Sequence, residues 1–425
     1  MIELNTVEIG GSVAPGFEPV KALFEHNLRT LAERSIQLCI YHKGKKVVDL
    51  WGSPAKECNF GSDSISNIFS SGKSLEAIAL ASLVSQGLLA YDKKISEYWP
   101  EFGAAGKGEL KVADLMRHEA GLAAFKVSID PSDLLRENIK QNKIGAIIES
   151  HPQAFREGSS DREYHAVTRG WIVNELFRRV DPKGRTIGEF ISEDVNGLLG
   201  ADIFIGVDEA HIPRVVPVTP LSMKYQFKES LKPTIMGRRV ERNIFQTLSR
   251  LMKMLPGVSK RSTKGAPPPF VGMKSVAFFN DSRVVRGETP SANVNASARG
   301  LAKLAALMAA KGRLEDKNLI SKEAWDALHH APLEKDMAFG KASFTQGGVA
   351  LFGSQTVDSD LGRALNKGRE GFYGWLGLGG SIFQWHPEHD IGFAYVPTSL
   401  NILDLFNERG KTYQAEVLRC VENLA

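Results

Sequence analysis

The chain has 425 residues, with 53 Lys+Arg against 49 Asp+Glu for a formal net charge of +4. Hydrophobic residues at 43% and charged residues at 24% are ordinary globular proportions, which argue against a disordered chain or a fibrous repeat. So small a positive excess gives no reason to expect a nucleic-acid partner, and the length suits two or three domains or one large interleaved fold.

Three cysteines, Cys39, Cys58 and Cys420, make no disulfide framework and no zinc pattern; buried reduced thiols are expected. The opening MIELNTVEIGG shows no basic segment followed by an apolar one, and the closing VENLA carries no lipidation signal. No run approaches the ~18 apolar residues of a membrane span. A cytoplasmic protein is expected.

Taken in chain order, residues 16–35 place Phe17, Val20, Leu23, Phe24, Leu28 and Leu31 on one helical face. Two β-rich runs flank Lys43-Gly44 and predict a hairpin. Residues 72–86 predict a helix apolar on most sides, hence buried, stopped by Gly87. Between about 90 and 220, short helical patterns alternate with loops, among them 112–122 and 167–180. Residues 224–264 differ, holding eleven Lys and Arg against Glu229 and Glu241. Within them Val240, Ile244, Phe245, Leu248, Leu251, Met252 and Leu255 form a helical stripe. The simplest expectation is an inserted helix packed on its own protein. A mobile lid, or a patch for an acidic membrane surface or a partner, is the less favoured alternative. A helix over 298–310, two strands over 372–398 joined at Pro387, and a terminal helix over 403–424 complete the pattern. The layout is α+β in a single unit over 1–425. Residues 1–65 and 291–425 form an α/β part, and 66–290 a mainly helical part that includes the basic insert 224–264.

The segment Asn67-Ile68-Phe69-Ser70-Ser71-Gly72-Lys73-Ser74 contains Ser-x-x-Lys. A second tetrad, Ser53-Pro54-Ala55-Lys56, shows how weak that pattern is alone, but no helix can position its lysine across Pro54. Ser70 stands where an extended run turns into a buried helix, so Lys73 shares its face. A serine hydroxyl needs a base to become a nucleophile. A desolvated lysine can be that base, and a helix N-terminus offers N–H groups to an oxyanion. The plain alternative is a serine that caps the helix. Tyr164, in the loop 162–168, offers a further base or proton shuttle. Residues 374–381 form a glycine-rich strand, a sign of close approach to the backbone.

In this order the motifs resemble the serine β-lactamase-like superfamily: class C β-lactamases, penicillin-binding proteins, D-aminopeptidases and, most of all, the related esterases. The resemblance rests on GFEPV (16–20), VVDLWG (47–52), LMRHEAGL (115–122), YHAVTRG (164–170), NASARGLAKLAALMA (295–309) and GLGGS (377–381). It implies that fold, an antiparallel sheet flanked by terminal helices with a helical region inserted. It implies Ser70 as the acylated nucleophile, Lys73 as its base and Tyr164 as their partner in proton transfer. The N–H groups of Ser70 and Leu378 would form the oxyanion hole, with Trp375, Gly377 and His165 beside the substrate. No cofactor and no metal is implied. Two positions depart from the β-lactamase pattern: Ala166 stands for an asparagine, and Trp375 for a lysine or histidine. An indole cannot meet a substrate carboxylate as a cation does. A carboxylesterase on small neutral esters is therefore expected, ahead of an amide hydrolase of β-lactamase or D-aminopeptidase type, or a silent scaffold that binds a partner.

Weaker candidates are expected to be structural. His386-Pro387-Glu388-His389-Asp390 resembles a metal-ligand cluster but occupies a hairpin turn, so a solvated turn is expected ahead of a metal site. His118-Glu119 lacks the second histidine of a zinc helix. His329-His330 is expected at a helix end facing solvent. No Walker loop exists, and GLGG is not a dinucleotide fingerprint.

Overall fold

A computed structural model describes residues 7–54, 60–156, 161–259, 261–337, 340–353, 360–404 and 406–424. β1 (Val7–Val13) is followed by α1 (Glu18–Thr30), which buries Val20, Phe24 and Leu28 on the face its periodicity marks. β2 (Ile36–His42) and β3 (Lys45–Pro54) form the expected hairpin, with Lys43 and Gly44 both at positive φ, 49° and 73°. The middle of the chain supplies α2 (Lys73–Ser85), α3 (Thr168–Val180) and α4 (Ile244–Ser259). Then come α5 (Ala298–Ala309), β4 (Leu333–Asp336), β5 (Lys341–Phe344), β6 (Ala350–Leu351), β7 (Tyr373–Leu376), β8 (Ile382–His386), β9 (Ile391–Pro397) and α6 (Glu408–Leu424).

Among the described residues these nine strands make one antiparallel sheet, in the order β1-β3-β2-β9-β8-β7-β6-β5-β4. Its centre joins distant parts of the chain, Ile36 lying opposite Pro397 and Ile40 opposite Phe393. Side chains alternate across a strand, so β2 sends Ile36, Leu38 and Ile40 to one face and Gln37 and Cys39 to the other. The first face packs under α1 and α6, against Phe24, Tyr413 and Val417. The second packs under α5 and continues into the helical region around α2 and α3. A fully buried Leu, Ile or Phe contributes roughly 1.5–3 kcal/mol, so these two cores hold the layers. α5 lies so close to the sheet that a Cβ on Gly392 of β9 would stand 2.3 Å from the Ala306 nitrogen.

Several expectations need correction. The pattern over 112–122 yields a helix only over Val112–Met116, because His118 takes a left-handed conformation (φ 65°). Residues 372–398 hold three strands, since the glycines at 377–380 make a turn between β7 and β8 rather than continuing a strand. α6 begins at Glu408, whose N–H the Asp404 carboxylate accepts at 2.7 Å. His329 is buried: it donates from Nδ1 to the Trp325 carbonyl and accepts the Trp385 indole N–H at 3.0 Å. His386 is buried edge-on to Phe372. α4 forms where the stripe marked it, but turns Thr247, Arg250 and Met254 inward and leaves Phe245, Leu248, Met252 and Leu255 exposed. Cys39 and Cys420 are buried and free; Cys58 and, of the second Ser-x-x-Lys tetrad, Ala55 and Lys56 lie outside the described residues, and Ser53 is a buried residue of β3, bonded to Ser35.

Gly392→Ala is expected to cost ~1–3 kcal/mol by forcing α5 off the sheet. Urea denaturation monitored by circular dichroism measures it.

Candidate active site

The turn that carries Ser70 is held before the helix begins. Ser66–Asn67 pairs with Asn295–Ala296, and Asn67 Oδ1 accepts the Phe69 N–H at 2.7 Å. Phe69 itself sits at φ 47°, a conformation that costs a bulky residue on the order of 1–3 kcal/mol. The chain then makes one tight turn, Phe69–Gly72, and runs directly into α2. Ser70 does not cap that helix: Gly72 holds the N-cap position, and no side chain caps it.

Lys73, the first residue of α2, has no exposed surface. Its Nζ donates to the carbonyls of Ala166 at 2.7 Å and Ser291 at 3.0 Å, and lies 3.3 Å from Ser70 Oγ. With two N–H bonds committed to carbonyls, the remaining tetrahedral position points at the serine. Burial holds the amine well below the usual lysine range; Glu76 pulls it back up, and the Arg169 guanidinium adds to the lowering. A neutral amine there presents its lone pair to Ser70.

Below it lies an ion pair with neither partner exposed, Arg169 Nε to Glu76 at 2.8 Å. Arg169 also donates to the Lys73 carbonyl at 3.0 Å, while the other Glu76 oxygen accepts the Ser291 hydroxyl at 2.5 Å. One network thus fixes the helix start and both loops that grip the amine.

Tyr164 places its ring 4.8 Å below Lys73 Nζ. Its oxygen accepts the Trp375 indole N–H at 2.9 Å. Burial pushes the phenol up to about 12, against hydrogen bonds with Ser70 and Trp375 that favour ionisation. Trp375, on β7, has therefore spent its only donor on the tyrosine and faces its surroundings as hydrocarbon. The turn after β7 is clamped to the serine: Ser381 Oγ donates to the Ile68 carbonyl at 2.6 Å, and Asn407 Nδ2 donates to the Gly377 and Ser381 carbonyls. A Cβ on Gly377 would lie 2.2 Å from the Ile68 oxygen, so only glycine permits this approach.

Ser70, Tyr164, Trp375, Gly377 and Leu378 all line one cavity of ≈ 330 Å³, whose walls are mostly apolar, Met254, Met337, Leu361, Leu365, Leu376 and Phe406 among them. The backbone N–H groups of Ser70 and Leu378 meet no acceptor among the described residues. Lys341 and Asp404 are the charged residues on this wall, and Asp404 faces Arg409 at 3.4 Å. Tyr164, Ala166 and Met337 are shared with a second arm of ≈ 230 Å³.

His165, expected beside the substrate, is turned away. It is fully buried, donating from Nδ1 to the Glu163 carbonyl at 2.6 Å and accepting the Leu122 N–H at Nε2. Burial lowers it to about 4, so it stays a neutral brace between two loops. Sequence reasoning passed over Glu76, Arg169, Ser291, Ser381 and Asn407. Glu76 had a signal, a lone acid in an otherwise apolar helix, which must find a partner. Ser291 had none, since it is its carbonyl that holds the Lys73 amine.

Against known proteins, the family model described as Beta-lactamase matches residues 20–410, and the chain belongs to that family. It is 28% identical over 371 residues to the esterase/beta-lactamase LipL of Mycobacterium tuberculosis, covering 85% of this chain and 76% of that one. Among solved structures, a penicillin-binding protein homolog from Caulobacter crescentus superposes with a TM-score of 0.74 at 26% identity, over 97% of this chain and all of that one. A family VIII carboxylesterase gives 0.75 at 24% identity, over 97% and 100%. The fold is the β-lactamase-like one.

Glu76→Gln leaves Arg169 buried without its counter-charge. It is expected to destabilise the fold by ~3–5 kcal/mol, read from the urea midpoint.

Proposed function

We propose that the chain is a serine hydrolase that forms an acyl-enzyme at Ser70 and acts on small neutral esters. The observation that carries this reading is the buried Lys73 amine, held by two carbonyls and aimed at the Ser70 hydroxyl. In the first half-reaction the Ser70 proton passes to Lys73 as Oγ attacks the ester carbonyl. The N–H groups of Ser70 and Leu378 receive the oxyanion. Tyr164, protonated because its phenol is raised to about 12, gives its proton to the departing alkoxide and regains one from Lys73. Water then takes the alcohol's place, the same pair removes its proton and delivers it to Ser70 Oγ as the acyl carbon–oxygen bond breaks, and the acid leaves. The kinship with an esterase/beta-lactamase and the likeness to a family VIII carboxylesterase support this reading. A second reading, hydrolysis of amides bearing a carboxylate, is favoured by one observation, Lys341 on the cavity wall.

Ser70→Ala should abolish labelling by a fluorophosphonate probe, read by intact mass, and cut ester turnover at least about a thousandfold, with the fold retained. Equal labelling would move the nucleophile elsewhere. Lys73→Ala and Tyr164→Phe act on one proton path, so the double variant should be little worse than the worse single one; a product of the two losses would separate their roles.

The pH profile follows from the shifts. Lys73 must be neutral to act and is lowered, so kcat/KM should rise with pH through an apparent pKa below the ordinary lysine value of 10.5. No fall should follow before about pH 10, because Tyr164 keeps its proton to about 12. For selectivity, a p-nitrophenyl ester should exceed a carboxylated β-lactam in kcat/KM. If the β-lactam wins and Lys341→Ala reduces it about tenfold, the loss of one charge-assisted contact, the amide reading prevails.

A further inference from the structure

Large apolar side chains left in water concentrate on the basic insert. On α4, Phe245, Leu248, Met252 and Leu255 are spaced by three, four and three residues and share one exposed face. Phe245 is 80% exposed, and Ile235, in the preceding turn with exposed Met236, is 95% exposed. Single exposed hydrophobics are common; a continuous stripe is a contact surface.

Charge decides what it contacts. The two acids of this segment are turned away from water: Glu229 is buried, accepting from Lys232 and the Arg239 N–H, and Glu241 is held beside Arg409 and Asn401. Several cations are spent internally, Arg242 and Arg250 on Glu408, and Lys253 on Asp360. Lys224 and Lys228 remain exposed one turn apart on the short helix Met223–Ser230, which packs against α4, and Lys264 is exposed further on. The insert thus shows water an apolar stripe with cations nearby and neither of its own acids.

We propose that α4 and the Ile235-Met236 turn form a docking surface for anionic phospholipid. An amphipathic helix lies in the plane of a lipid surface with its apolar face below the headgroups, and nearby lysines add electrostatic attraction. No described helix is long and apolar enough to cross a membrane, so the contact is peripheral. Met254, on the opposite side of α4, reaches the cavity wall, so the docked helix lies between the lipid surface and the cavity. The proposal is independent of turnover and holds equally for a Ser70→Ala protein.

The test is co-sedimentation of the full chain with vesicles of phosphatidylcholine alone, and of phosphatidylcholine with phosphatidylglycerol at about 7:3. Binding should favour the anionic vesicles about tenfold and weaken with salt. Phe245→Glu with Met252→Glu should reduce it at least about tenfold, because a charge replaces each apolar anchor. Lys224→Glu with Lys228→Glu should erase the preference for anionic lipid. These residues are exposed, so turnover of a water-soluble ester should be unchanged in both variants, which checks the fold. Failure of the anionic vesicles to pull down the protein overturns the proposal, as does equal binding by the Phe245/Met252 variant. It is also overturned if sedimentation velocity shows self-association that this variant abolishes while no vesicle binds; the face is then an interface between copies of the chain.

Discussion

Taking the Lys73 amine out of water disfavours its charged form, and everything around the cavity follows from how that burial is managed. Two carbonyls accept its N–H groups, so the loops carrying Ala166 and Ser291 must close over the start of α2. Beneath them Arg169 and Glu76 neutralise each other and bond outward to the Lys73 carbonyl and the Ser291 hydroxyl. A buried ion pair contributes little net stability but is costly to break. Here its effect is geometric: it sets the amine against the Ser70 hydroxyl.

The same logic joins the two ends of the sequence. Ser70 lies between a left-handed Phe69 and the turn after β7, and the contact is made by backbone carbonyls meeting Ser381 and Asn407. Trp375 belongs to this frame as well as to the cavity wall, since its N–H fixes where the Tyr164 oxygen can send its own proton. The floor of the cavity is thus rigid and polar beneath, apolar above, with α4 forming one wall from outside the sheet.

Much of this was legible in the sequence. Helical periodicity located α1, α2, α3, α5 and α4, the Lys43-Gly44 pair located the hairpin, and the three-residue spacing of Ser70 and Lys73 placed them one helical turn apart. Where the reading failed, the deciding physics was not local. His165 was expected beside the substrate from the resemblance, but its ring nitrogens meet the Glu163 carbonyl of its own loop and the Leu122 N–H of a distant one. The glycines after Trp375 read as strand, because nothing in GLGGS reveals that Ile68 would press against Gly377. The stripe of α4 read as a packed face, since apolar periodicity shows that a helix has a face and not which way it turns. Ser291 was invisible because it holds the Lys73 amine through its carbonyl, a group common to every residue.

The pairing of β2 with β9 has a consequence for how the chain is made. Ile36 finds its neighbour Pro397 only after about 360 further residues have been synthesised. At ~5–20 residues per second on the ribosome, the first hairpin waits roughly 20–70 s with one edge of β2 open and Ile36, Leu38 and Ile40 uncovered by α6. Such non-local pairing folds slowly, and an open apolar edge invites pairing with other chains. A nascent chain of this architecture therefore depends on being shielded until β9 emerges, and a message cut short within the last strands yields an aggregating fragment rather than a weaker enzyme.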